Sequence, residues 1–213
     1  MAVTTEISPF QRVLLGATGR DAARISRVFA LDNECAHIAR VAHEPLMAQI
    51  RLAWWRDALS ATEMGAEHRA PMTEAIRALD GFGAMRPHLI AMIDGWEELV
   101  AGDEGDLAGL VRRYARGRGG GLFAALSPDS CGAASDVGTV WALWDLAGNA
   151  GNEALARQAI ALAREIEASP PRRRMLAMMH GAARHDIARD RGAPPDLTPR
   201  LYFRLLRMQF FGR

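Results

Sequence analysis

The sequence predicts an all-α bundle, and three observations carry that expectation. Apolar residues recur at spacings near three and four over segments longer than a strand, glycines and prolines cluster between those segments, and no segment alternates apolar with polar residues as a half-buried strand does. A length of 213 residues suits one domain, 1–213, and 49% hydrophobic beside 24% charged residues supplies a core.

The elements follow in order. From Asp21 to Val41, the residues Ile25, Val28, Phe29, Cys35 and Ile38 mark one face of a long helix. Pro45 stands at a first helical position, and Leu46, Ile50, Trp54 and Ala58 continue as a stripe through PLMAQIRLAWWRDAL. Gly81 to Pro87 interrupts the pattern before HLIAMIDGWEELV, where Leu89, Ile93, Trp96 and Val100 lie opposite Asp94, Glu97 and Glu98. A helix from about Leu107 carries Gly117 and Gly119 to Gly121, which together cost it a few kcal/mol relative to alanine. Further helices cover roughly 134 to 147, 152 to 168, 172 to 190 and 198 to 211.

Composition narrows the chemistry. A net charge of +1 argues against a dedicated nucleic-acid binder. Every one of the 26 cationic side chains is Arg, which removes Schiff-base chemistry and the lysine of a phosphate-binding loop. Cys35 and Cys131 form no CxxC pair and read as reduced thiols, so a cytoplasmic protein is expected. The N-terminal stretch, with Glu6 and Pro9, has no export-signal pattern, and runs such as LIAMI are too short to span a bilayer.

Several motifs have a plain reading beside a functional one. Glu34 and His37 make a single E-x-x-H where a di-iron bundle needs two copies. His180 and His185, five apart, point to different faces, and no G-x-S-x-G occurs. Acidic pairs at i, i+4 can face a Mg²⁺ ion, and Glu63/Glu67, Asp94/Glu98 and Asp186/Asp190 have that spacing; the plainer reading is a solvated face with local ion pairs. In the last helix, Arg200, Arg204 and Arg207 run beside Leu201, Leu205 and Met208, as in a membrane-surface helix or a closing core helix with a wet arginine face.

Three blocks in order, FALDNECAHIARVAHEPLMAQIRLAWWRDAL, RPHLIAMIDGWEELV and YARGRGGGLFAAL, resemble the squalene/phytoene synthase family. The likeness implies the isoprenoid synthase fold, a helical bundle around a central cavity. Active members carry two D-x-x-x-D-type motifs that hold Mg²⁺ and the diphosphates of two prenyl substrates. Laid on Phe29, the first motif places Glu34 at an acidic position and Ile38 where the second carboxylate belongs. Laid on Gly138, the second places Asn149 and Glu153 at its acidic positions. The segment that covers the diphosphate in the family has no counterpart before ALARQAIALAREIEASPP.

By the same resemblance, Tyr114 and Gly120 match the family's tyrosine-led, glycine-containing helix beside the cavity and Arg51 and Trp55 match the signature of the first block, which implies substrate binding for all four; a buried ion pair and core filling are the structural reading of Arg51 and Trp55. The expectation is a catalytically weakened member that binds a protein partner, an isoprenoid or another lipid, akin to the branch that serves as assembly factors for respiratory complex I. It would be cytoplasmic, with peripheral contact at the inner face of a membrane. The alternative is a Mg²⁺-dependent prenyltransferase condensing two prenyl diphosphates head-to-head, with Glu34, Asn149 and Glu153 as ligands. Further acids converging from Asp32 or Asp145 would favour that alternative.

Overall fold

A glycine-rich rod clasped between two long helices forms the middle of the molecule. The computed structural model describes residues 7–42, 44–63, 65, 68–102, 105–127 and 131–211, with side chains from 134 onward in the last stretch. All regular structure among them is helical, as the periodicity predicts. Glu67 and the Cys131 side chain, both named above, lie outside the described residues.

The chain begins with α1 (Pro9–Leu15), where the Ser8 hydroxyl accepts from the Gln11 N–H at 3.2 Å and the Gln11 side chain accepts from the Ser8 N–H at 3.0 Å. It continues through α2 (Ala22–Val41), α3 (Pro45–Ser60), α4 (Pro71–Arg77) and α5 (Phe82–Ala101). The rod then runs as α6 (Leu107–Ala115), a π-helical turn at Arg116–Gly120, and α7 (Gly121–Leu126). It is followed by α8 (Cys131–Asn149), α9 (Glu153–Glu165), α10 (Arg174–Ile187) and α11 (Pro199–Phe211). The π turn and α7 pack against both α5 and α8, while α6 reaches α9. One apolar core joins these layers, built on residues such as Phe29, Leu52, Leu89, Phe123 and Leu205.

Four details depart from the sequence expectation. Pro87 lies inside α5 instead of preceding it: Gly81, at φ +77°, ends the turn before, so the proline removes a donor only from the second turn of a helix that starts at Phe82. In α3 the buried face is Ala48, Leu52, Trp55, Ala58 and Leu59, leaving Leu46 and Ile50 exposed at 62% and 53%. The helices at 152 to 168 and 172 to 190 are shorter than their periodicity, ending at Glu165 and Ile187. The short helices α1 and α4 have too few turns to register as a period.

Arginine closes several helix ends. Arg77 donates to the carbonyls of Ala58, Ala61 and Thr62 after α3, and Arg24 with Arg173 covers Ala125 and Leu126 at the end of α7. Arg184 spans Ala163 and Ile166 at the end of α9. A planar fork reaches two carbonyls at once, and its charge suits the negative end of the helix dipole. No helix among the described residues is long and apolar enough to cross a membrane.

Candidate functional site

Glycine decides where the site forms. A Cβ on Gly95 would overlap the backbone of Gly117 and Arg118, and one on Gly119 would overlap Gly138, so α5 and α8 each meet the π turn backbone to backbone. Gly121 makes a third close approach, to His88 and Met92 of α5, while Gly120 faces Ser135. A π turn widens the helix and is common at functional sites. Here it carries Arg118 into the interior, 4% exposed.

The guanidinium is enclosed by partners. Nε and Nη2 of Arg118 donate to the two carboxylate oxygens of Asp32, both at 2.9 Å, and Nη1 donates to Asp145 and to the Tyr114 hydroxyl, both at 2.5 Å. Trp96 Nε1 donates to the same Asp32 at 2.8 Å. The cation also lies 4.3 Å from the Trp96 ring centre and 4.9 Å from that of Trp141. Fork geometry satisfies a buried charge in a way a lysine ammonium could not. The carboxylates hold Arg118 more firmly protonated than an ordinary guanidinium against the opposing effect of burial, while burial, as the largest influence, pushes Tyr114 well above the usual phenol range.

Above this cluster opens a cavity of about 940 Å³, at the upper end of ordinary ligand pockets. Its wall is mixed: Phe10, Phe29, Trp96, Trp141, Trp144 and Met179 supply aromatic and aliphatic surface, and His37, Arg40, Asn149, Asn152 and Asp196 add a nearly equal share of polar groups. Among the described residues the buried indole N–H groups of Trp141 and Trp144 have no hydrogen-bond partner. Asp32 and Asp145 against Arg118 leave one formal negative charge in this cluster, and Arg40 and Asp196, also on the wall, cancel each other in formal charge.

The residues singled out in the sequence scatter over this architecture. Tyr114 lines the cavity and touches Arg118. Gly120 is buried against α8 through Ser135, beside the site but outside the cavity wall. Arg51 pairs with Glu34 at 3.4 Å, and Trp55 packs edge-on against Trp54, all away from the cavity wall. Asn149 lines the cavity, its amide donating to the Asp145 carbonyl at 2.9 Å and carboxylate at 3.3 Å. Glu153 is 82% exposed in its side chain and pairs with Arg157. The acids Asp32 and Asp145 do converge, and what they converge on is a side-chain cation.

Arg118 was the residue missed. Its signal was indirect: Asp32 falls in phase with Ile25, Val28, Phe29 and Cys35 on the buried stripe of α2, and a buried carboxylate requires a cationic partner. The acidic pairs divide among arginines. Asp94 meets Arg56 and Glu98 meets Arg113, while Asp186 and Asp190, the latter beyond the helix end, pair with Arg204 and Arg164.

For Mg²⁺ the donor set fits poorly. Glu34 is tied to Arg51, Glu153 stands at the surface, and Asp32 and Asp145 are committed to Arg118. Among the described residues no group of three or more His, Cys, Asp or Glu side chains is disposed to hold a metal ion. Comparison of the chain with family models, curated proteins and solved structures returns no match.

Proposed function

We propose that the protein is a squalene/phytoene synthase-like, non-catalytic binder of an isoprenoid or similar lipid, acting as an assembly-factor-like partner of a respiratory complex. The observation that carries this reading is Arg118 between Asp32 and Asp145. Ionising an allylic diphosphate requires cations that reach the leaving group. In this cavity the central cation is fixed and already neutralised by Asp32 and Asp145, so a diphosphate gains little from it, while an apolar chain gains aromatic wall. The protein partner and the cytoplasmic location rest on the family likeness alone.

The test has two arms. Purified protein incubated with farnesyl or geranylgeranyl diphosphate and millimolar Mg²⁺ is expected to release no pyrophosphate; release that requires Mg²⁺ would establish the prenyltransferase instead. In the second arm, farnesol and geranylgeraniol are titrated while tryptophan emission is followed, because Trp96, Trp141 and Trp144 line the cavity. Saturable change supports the binder, and none at any soluble concentration removes it.

A further inference from the structure

The last helix separates its apolar residues into two faces. Leu201 and Leu205 turn inward at 4% and 0% exposure, so the leucines of the stripe noted in the sequence belong to the core. On the other side Phe203, Leu206 and Phe210 follow at i, i+3 and i+7 and form a second stripe; Phe203 and Phe210 are 67% and 70% exposed, and Phe211 beside them is 76%. Arginines border it. Arg204 is drawn inward to Asp186 at 3.4 Å, but Arg200 and Arg207 make no ion pair among the described residues, and Arg174 caps α11 through the Gln209 carbonyl at 2.8 Å. The helix contains no acidic residue.

We propose that α11 seats this protein on a membrane surface containing anionic lipid, with Phe203, Leu206 and Phe210 at the level of the acyl boundary and Arg200, Arg207 and Arg174 at the headgroups. Three observations choose this occupant. Exposed phenylalanines flanked by arginines are the makeup of a helix lying in the interface. Arg200 and Arg207, without an ion pair among the described residues, and the lack of acids within α11 give the helix one sign of charge, which complements anionic headgroups. That same uniform charge repels a second copy placed on the same face. The geometry also links surface to cavity: Leu201, on the inner side of the same helix, belongs to the cavity wall. Docking therefore brings the lipid surface within about one helix diameter, roughly 10 Å, of the cavity.

The inference stands independently of lipid binding in the cavity, because it is read by vesicle flotation of the full chain. Vesicles of phosphatidylcholine alone are compared with vesicles carrying about 30% phosphatidylglycerol, at low and physiological salt. The protein is expected to float with the anionic vesicles only, and less so as salt rises. Each arginine removed should weaken partitioning about five-fold, so R200Q/R207Q should lose about 25-fold. F203S/F210S should lose at least as much, while L46S/I50S, altering the exposed apolar residues of α3, should float like the parent. Circular dichroism and the melting temperature confirm that each variant folds. No flotation of the parent at low salt overturns the proposal, as does equal loss in L46S/I50S. A dimer in sedimentation that F203S/F210S dissolves would assign the face to self-association instead.

Discussion

Asp32 and Arg118 meet edge to edge, two N–H···O contacts of 2.9 Å joining α2 to the π turn deep in the core. Removing one member of such a buried pair strands the other. Arg118→Leu is expected to destabilise the fold by about 3–5 kcal/mol in urea titration, because two carboxylates lose their counter-charge. Arg118→Lys should recover less than half, since an ammonium cannot serve Asp32, Asp145 and Tyr114 together. Adding Asp32→Leu and Asp145→Leu to Arg118→Leu should restore most of the loss. If Arg118→Leu alone melts like the parent, the cluster is not the structural centre of the bundle.

A second expectation concerns acid. His180 is 5% exposed and its Nε2 accepts from Arg184 Nε at 3.2 Å, so the ring is held neutral, its pKa pushed down to about 4 by burial first and by Arg184 second. The unfolded ring binds its proton near 6.5, so stability is fully present above that value and falls as the pH drops toward 4. The loss should be about 2 kcal/mol, allowing for relaxation around the ring. Chemical denaturation between pH 7 and pH 4 measures it, and His180→Gln should flatten that slope.

Close backbone crossings give a third. Gly119→Ala and Gly138→Ala would each drive a methyl into the facing backbone and should lower stability by about 3 kcal/mol or more. Gly83, near the start of α5, has nothing among the described residues within 4 Å of the place a Cβ would take, and Gly83→Ala should raise stability by about 0.5 kcal/mol. Opposite signs from the same substitution are the outcome to look for in thermal melts.

Cys35 offers a reporter of opening. It is fully buried, and burial, reinforced by Asp32 and Glu34, pushes its thiol well above the usual range, so it is neither reachable nor ionised in the folded protein. In a Cys131→Ser background, thiol labelling should proceed only at the rate of unfolding. Rapid labelling in native buffer would contradict the packing of α2.

The bundle was legible because its long helices repeat their apolar residues over several turns; α5, with Leu89, Ile93 and Trp96 buried, is the clearest instance. Where tertiary packing chose between two plausible faces, periodicity could not decide. Leu46 and Ile50 share a stripe with Ala58, yet α3 turns Leu52 and Trp55 inward. The site was legible only in halves. The glycines of YARGRGGGLF signalled close approach, and Tyr114 does line the cavity, but that Asp32, Asp145 and Arg118 meet depends on a crossing of three elements. No local spacing encodes it.

The π turn at Arg116–Gly120 also sets a phase. Such a turn holds one residue more than the α-helix around it, so α7 is rotated by about 100° from where an unbroken α6 would have carried it. The rod therefore acts as two gears cut out of step on one axle: α6 keys into α5, α9 and the flank of α8, α7 into α5 and α8. Chain length, apart from composition, becomes a structural variable at this point. Excising a single residue between 116 and 120 would bring the gears into step and turn Leu122 and Phe123, both fully buried, off the seats they now occupy.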